Sequence, residues 1–282
     1  ATATATPIPT STPAPISTEV PAAEPSGFYV YFIDVGQGDA TLIVAGTGES
    51  LLIDGGRSKT RIRERLNTLG VTDLNAVLAT HPDADHIAGL VEVFSLYDIE
   101  KFYWNGHVHD TQTFQDLMAA VQAEGAEITV PKRGDIISLG ELDIEVVHPM
   151  TLSGDSNVDS IVLQLRCGAV DVLFTADAET LSEDEMRVAG VLVDVEILKV
   201  GHHGSRTSTS DPFLAVVSPE IGVISAGLNS QYGHPHQEVV DRLTAEGVAL
   251  WYTDISDQDD TVGMASDCQT VTFERPPTNI AS

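Results

Sequence analysis

Four side chains able to bind metal, His81, Asp83, Asp85 and His86, fall within six residues of the segment THPDADHIAGL (Thr80–Leu90), directly after the apolar run AVLA. Imidazole nitrogens and carboxylate oxygens are natural ligands of Zn²⁺ and Mn²⁺. A strand end passing into a tight loop aims such a set from one short segment. The HxDxDH spacing therefore points to two divalent ions about 3.5–4 Å apart and to hydrolytic chemistry. Capping of a helix start would account for Asp83 and Asp85, but it needs neither histidine.

Four further segments end an apolar run in residues fit for the same chemistry. YFIDVGQGDATLIV (Tyr31–Val44) and LLIDGG (Leu51–Gly56) lie upstream; VLFTADAE (Val172–Glu179) and LKVGHHGSRTS (Leu198–Ser208) lie downstream. The run VDVLFTA reads as a buried strand. A carboxylate at its exit, Asp177, is poorly solvated unless it meets a cation, or else caps the helix predicted after it. Asp34, Gln37 and Asp39 occupy a glycine-rich loop, where they either reach the same site or serve the turn backbone. Gly201 and Gly204 flank His202 and His203 and let the backbone come close.

As a set these segments resemble the metallo-β-lactamase superfamily, and within it the extracytoplasmic nuclease-like domain of ComEC/Rec2 competence proteins. That group also resembles bacterial phosphorylcholine esterases. The resemblance runs from about Phe28 to about Glu274. It implies an α/β (α+β) fold, a four-layer αββα sandwich, and two divalent metal ions, Zn²⁺ or Mn²⁺. It implies His81 and Asp83 on the first ion, Asp85 and His86 on the second, and Asp177 bridging. His202 is then the ligand of the second ion with His203 facing substrate, or the order is reversed. Asp54 takes the place of a carboxylate that orients a metal-bound histidine.

Two departures from the broader superfamily matter. Asp83 stands where many members carry a histidine, and no histidine lies between Pro149 and Asp177 to complete the first ion's shell. Asn157 or Asp159, in SNVDSIVLQL (Ser156–Leu165), is expected to contact metal, bound water or substrate instead. More oxygen ligands make the first site harder, so Mn²⁺ suits it as well as Zn²⁺. NSQYGHPHQEVVDRL (Asn229–Leu243) contains a YGHP like that of the ComEC-like group. His234 is thus a candidate to bind a phosphate oxygen or protonate a leaving group, or a capping or core histidine. Tyr232, Ser205 and Arg206 are further substrate-binding candidates, and Asp85, His203 and His234 the catalytic ones. His148 reads as structural, and His107 and His109 as rim or surface.

The rest of the chain bounds these readings. The 282 residues carry 42 acidic and 14 basic side chains, a formal net charge of −28 that repels a polyanion at long range. A lysine-poor, carboxylate-rich surface of this kind suits concentrated salt. Five of the cations gather in RSKTRIRER (Arg57–Arg65), where Arg57, Arg61 and Arg65 share a helix face that either steers a phosphate backbone or is solvated. Residues 1–27, rich in Thr, Ala and Pro, are expected to form a disordered linker, 28–275 the hydrolase domain, and 276–282 a tail. No stretch is apolar enough to span a membrane. A low-complexity stalk suits an extracytoplasmic protein, secreted or lipid-anchored, whose targeting segment has been removed. Cys167 and Cys268 can form a disulfide there and are too far apart in sequence to make a zinc site alone.

Strands are predicted at 28–34, 40–45, 50–54, 75–79, 100–104, 127–130, 136–138, 142–148, 160–166, 170–175, 195–199, 221–225, 248–253 and 269–274, and helices at 58–69, 88–95, 111–124, 179–187, 210–217 and 235–246. The function expected is two-metal hydrolysis of a phosphodiester, with DNA as first substrate through the resemblance. The alternatives are a lactonase or β-lactam hydrolase, a phosphorylcholine-esterase-like phosphodiesterase, and a non-catalytic binding module.

Overall fold

The computed structural model describes residues 27–278 apart from 228, 229, 231 and 257. The predicted linker, Gly27 excepted, and the end of the predicted tail lie outside the described residues. Fifteen strands among them form two sheets. The eight-stranded sheet contains β1 (Phe28–Phe32), β2 (Thr41–Ala45), β3 (Ser50–Ile53), β4 (Ala76–Ala79), β5 (Lys101–Trp104) and β6 (Glu127–Thr129), with β14 (Val262–Ser266) and β15 (Val271–Phe273) added on the β1 side. The seven-stranded sheet runs β13 (Ala249–Tyr252), β12 (Ile221–Ile224), β11 (Ile197–Lys199), β10 (Val170–Phe174), β9 (Val162–Cys167), β8 (Leu142–His148), β7 (Ile136–Leu139).

Side chains alternate between the two faces of a strand, and both faces here are buried, which is why the strands read as continuous apolar runs. In β1, Phe28, Val30 and Phe32 point between the sheets, where they meet Ile144, Leu163, Val172 and Ile197 of the other sheet; Tyr31 points the opposite way. That outer face of the eight-stranded sheet is covered by α1 (Lys59–Thr68), α2 (Ala84–Ile87), α3 (Leu90–Leu96) and α4 (Gln112–Glu124), through Ile62, Leu66, Ile87, Val93 and Phe114. The outer face of the seven-stranded sheet is covered by α5 (Thr180–Ala189), α6 (Asp211–Val217) and α7 (Gln237–Ala245), through Met186, Phe213 and Leu243. Three apolar interfaces separate four layers, the expected αββα sandwich.

Two elements escaped the sequence reading. Strand β14 pairs along the whole of β1, yet its sequence VGMAS has little of the β-branched and aromatic character that marks a strand. The single turn α2 carries Asp85 and His86 and lies ahead of the helix predicted at 88–95, in the segment expected to be a metal-binding loop or a capped helix start. Cys167 and Cys268 are bonded, Cα to Cα 4.9 Å, tying β9 of one sheet to the turn after β14 of the other across 101 residues of chain.

Closing a loop of that length in the unfolded state removes chain entropy worth about 4–5 kcal/mol. A Cys167→Ala, Cys268→Ala double variant should therefore lose about 2–5 kcal/mol of unfolding free energy in denaturant titration and keep its circular dichroism spectrum. An unchanged midpoint would show that the bond constrains nothing.

Candidate metal centre

The site forms where strand ends from both sheets meet. From the eight-stranded sheet, β4 passes through Thr80 to His81, and Asp83 starts α2 without capping it through its side chain. From the seven-stranded sheet, β10 leads to Asp177, and β11 to the turn Gly201–Gly204 that carries His202 and His203. Two close approaches lock the loops together. Gly38 sits at φ 117°, where a Cβ would lie 1.9 Å from the Asp85 carbonyl oxygen, and Gly204 at φ 80°, where one would press on Pro235. Asp54, Ala176, His202 and His203 all hold positive φ, between 46° and 59°. Left-handed backbone at non-glycine residues costs roughly 1–3 kcal/mol each, so the surrounding packing must impose it, and at these positions it aims the site.

Asp177, buried, is the hub. Its Oδ2 lies 3.3 Å from His86 Nε2, 3.5 Å from His202 Nε2 and 3.9 Å from His81 Nε2, and its Oδ1 is 3.4 Å from His203 Nε2. His81 Nε2 is 4.0 Å from Asp83 Oδ2, and His203 Nε2 is 3.9 Å from Asp85 Oδ2. The groupings with ligand atoms close enough to share an ion are His81, His86 and Asp177; Asp85, His86 and His203; and Asp39, Asp177 and His203.

Each central imidazole is fixed from behind. Asp54 Oδ2 accepts from His86 Nδ1 at 2.8 Å, while its two oxygens also accept from the Thr80 amide and hydroxyl. His203 Nδ1 donates to the Ser225 carbonyl at 2.8 Å. His81 Nδ1 lies 3.0 Å from the Thr80 hydroxyl and 3.4 Å from that of Ser160. With the Nδ1 atoms held in this way, the Nε2 atoms of His81, His86 and His203, together with Asp177 Oδ1, are buried without a hydrogen-bond partner. Buried polar atoms are almost always satisfied. Four converging ones, three of them imidazole nitrogens and one a carboxylate oxygen, fit divalent metal ions.

The electrostatics agree. Burial works against charge on His86 and His203, but Asp177 with Asp54 in the first case, and Asp177 with Asp39 in the second, outweigh it. They hold His86 well above the ordinary histidine range and push His203 up to about 10. Burial likewise opposes ionisation of Asp177, and His203 and His86 overcome it, so its carboxyl stays well below the usual range. His81 goes the other way, down to about 4, through burial and the neighbouring His86.

The structure brings together His81, Asp83, Asp85, His86, Asp177, His202 and His203. Within the histidine pair, the side chain of His203 is 2% exposed and that of His202 18%; His202 also has Nδ1 3.3 Å from Glu179 Oε1. His203, not His202, groups with Asp85 and His86, the reverse of the first-stated expectation. Gln37 donates to Asp85 Oδ2 at 3.3 Å. The ring of His234 stacks 6.1 Å from that of His203 and 5.8 Å from that of half-exposed Tyr232. Burial, then His203 and His202, push His234 down to about 4.

Other expected members lie elsewhere. The carboxylate of Asp34 is buried against Arg61 and Arg65 at 3.3 and 3.0 Å, and does not face the metal-binding groups. Arg61 and Arg65 reach on to Asp254 and Asp259, so these two arginines are paired with carboxylates, while Arg57 is exposed. Asp159 is buried, accepting from the amides of Ser153 and Gly154 and thus shaping its own loop. His107 lies 3.4 Å from Asp159 rather than at the rim. Ser156 donates to Asp83, and Asn157 beside it has a buried Oδ1 with no hydrogen-bond partner. The Ser205 hydroxyl is buried against Thr207, and Arg206 points out to Glu238. His148 is structural as expected, held between the Ser160 carbonyl and Glu185. Lys199 was missed: it is buried, with Nζ 2.8 Å from Asp39 Oδ2. A lone lysine inside the apolar run ILKV was its signal.

An αββα sandwich with histidines and aspartates gathered at the strand ends defines a metal-dependent hydrolase fold. A family model described as the Metallo-beta-lactamase superfamily matches residues 33–227, and the chain belongs to that superfamily. It is 31% identical over 246 residues to ComE operon protein 3 of Bacillus subtilis (strain 168), covering 80% of this chain and 32% of that protein. It is 32% identical over 229 residues to competence protein ComA of Neisseria gonorrhoeae, covering 79% and 30%. The chain thus spans about a third of the length of these relatives. Among solved structures, Igni18, a metallo hydrolase from Ignicoccus hospitalis, superposes with a TM-score of 0.53 at 18% identity, covering 83% of this chain and 98% of that one. A diphosphatase of the PhnP family gives 0.51 at 16%, covering 83% and 96%. At those identities the likeness is one of fold.

Because Asp177 with Asp54 and Asp39 favours the protonated forms of His86 and His203, metal binding there should displace protons. Calorimetric titration with Mn²⁺ in two buffers of different ionisation enthalpy should show net proton release, and affinity should climb as pH rises through the range about 6 to 9. Proton-neutral binding would contradict the pairing of these imidazoles with Asp177.

Proposed function

We propose that the chain is a dinuclear metal-dependent phosphodiester hydrolase that works outside the cytoplasm and accepts DNA. The observation that carries this reading is the gathering of four buried, unsatisfied ligand atoms in overlapping groups where the strand ends of both sheets meet. His81 and Asp83 would hold one ion, Asp85, His86 and His203 the other, and Asp177 would touch both. Divalent ions there would supply Lewis-acid stabilisation of charge on a phosphoryl oxygen and acidification of attacking water.

The chain's own residues do the rest. Asp54, the Ser225 carbonyl and the Thr80 hydroxyl set the imidazole orientations, so the ligand atoms are in place before substrate arrives. His202, the more exposed of the pair, faces the substrate side, with Glu179 behind its Nδ1. His234 is neutral at pH 7 and serves as a hydrogen-bond donor to a phosphate oxygen more readily than as a cationic acid. Tyr232 stacks on it at the outer edge. A phosphodiester is favoured over a lactam or lactone by the carboxylate at Asp83 and by the similarity to the competence proteins. The disulfide supports an oxidising compartment, and among the described residues no helix is long and apolar enough to cross a membrane.

Charge shapes how a polymer arrives. Arg61, Arg63, Arg65, Arg133, Arg187, Arg206 and Arg242 each have a carboxylate within 3.4 Å, so half of the fourteen cations already counted in the net −28 are paired locally. Encounter with DNA is then opposed by a field that salt screens over about 10 Å at 0.1 M.

The Mn²⁺-loaded protein should hydrolyse bis-p-nitrophenyl phosphate faster than nitrocefin or an acyl lactone, and EDTA should abolish the activity. The opposite ranking with metals bound would place the protein among the acyl hydrolases. In the same preparation, plasmid cleavage should rise with monovalent salt while small-diester cleavage stays nearly flat. A steady fall of plasmid cleavage with salt would show that a cationic track for DNA exists after all.

A further inference from the structure

The buried ion pair between Lys199 and Asp39 has no part in the metal-ligand assignment above. Both side chains are under a tenth exposed, and their 2.8 Å bond joins the last residue of β11 in one sheet to the loop before β2 in the other. Lys199 Nζ also donates to the Val200 carbonyl at 3.3 Å. Such a pair is an expensive way to hold two sheets together, since apolar residues of similar volume usually stabilise a core as well or better. Its worth must lie in what it positions.

Two chains of contacts lead from it to the same place. The second oxygen of Asp39, Oδ1, is buried, makes no hydrogen bond, and lies 3.4 Å from Nδ1 of His203, beside the Ser225 carbonyl that the same nitrogen meets. The Asp39 amide donates to the Asp85 carbonyl at 3.3 Å, and its carbonyl accepts from the Gly56 amide at 2.8 Å. Gln37, two residues earlier in the same loop, donates to Asp85 Oδ2. The loop that Lys199 draws onto the seven-stranded sheet therefore bears on both His203 and Asp85. It makes no contact of this kind with His81 or Asp83.

We propose that Lys199 is a positioning residue for one metal site only: by holding Asp39 through Oδ2 it fixes His203 and Asp85 as ligands of the second ion. This rests on the dinuclear reading of the site. Apart from the shared Asp177, the first site is held by Ser156 and Ser160 and the second by a cross-sheet ion pair.

The test is an Asp39→Asn, Lys199→Met double variant, which removes both charges and strands neither, titrated with Mn²⁺ and followed by electron paramagnetic resonance alongside melting of the metal-free protein. The metal-free melting temperature should stay close to that of the parent. One ion should bind as before, the other about 10–100-fold more weakly, and the coupled two-ion signal should give way to that of a single ion over the intermediate range. Lys199→Arg, which keeps the charge and alters its reach, should weaken the same ion by less, and it serves alone if the double variant does not fold. Unchanged affinity for both ions in the folded variant, or equal loss of both, overturns the proposal. A parent protein that binds fewer than two ions removes the dinuclear reading itself, a different result from a parent that binds two and a variant that binds them equally well.

Discussion

A single carboxylate at the end of a buried strand constrains this molecule more than any other group. Asp177 leaves β10 with almost no access to water and with imidazoles of His81, His86, His202 and His203 within 4 Å of its oxygens. An ionised carboxylate in that position is tolerable only if positive charge meets it. In the metal-free protein Asp177, with Asp54 and Asp39, favours the protonated forms of His86 and His203, which face it. On the proposed reading, the same atoms would become ligands once metal is bound. Binding would then exchange protons for metal.

The arrangement depends on two sheets that contribute different halves. Asp54 and the His81–His86 segment come from strands of the eight-stranded sheet, while Asp177, His202 and His203 come from the seven-stranded one. Neither half can be complete until the core between Phe32, Ile43, Leu163 and Phe174 has packed. Because that core is apolar and owes nothing to metal, the fold can precede the chemistry. The left-handed backbone at Asp54, Ala176, His202 and His203 is then carried by the packing around it, and the strain is concentrated where side chains must be aimed.

Much of this was legible in the chain itself. The αββα architecture was implied by the resemblance to the metallo-β-lactamase superfamily and agrees with strand-like runs that are apolar on both faces, and the HxDxDH segment with Asp54, Asp177 and the histidine pair lies at strand exits. What was hidden depended on contacts remote in sequence. Strand β14 is a strand because β1 offers it a ladder, and its own residues do not announce it. Arg61 and Arg65 look like a cationic face along a helix, yet Asp34, Asp254 and Asp259 arrive from far along the chain to neutralise them. Asp159 resembles a ligand by type but shapes its own loop. Which of His202 and His203 turns inward is decided by the Ser225 carbonyl, 22 residues away, and no local pattern encodes it.

The central claim is that two ions share Asp177. Anomalous diffraction from crystals loaded with Mn²⁺, collected on either side of the manganese absorption edge, tests it most directly. Two peaks are predicted, one bounded by His81, Asp83 and Asp177, the other by Asp85, His86, His203 and Asp177. A single peak, or peaks remote from Asp177 in crystals that retain the fold, would contradict the account.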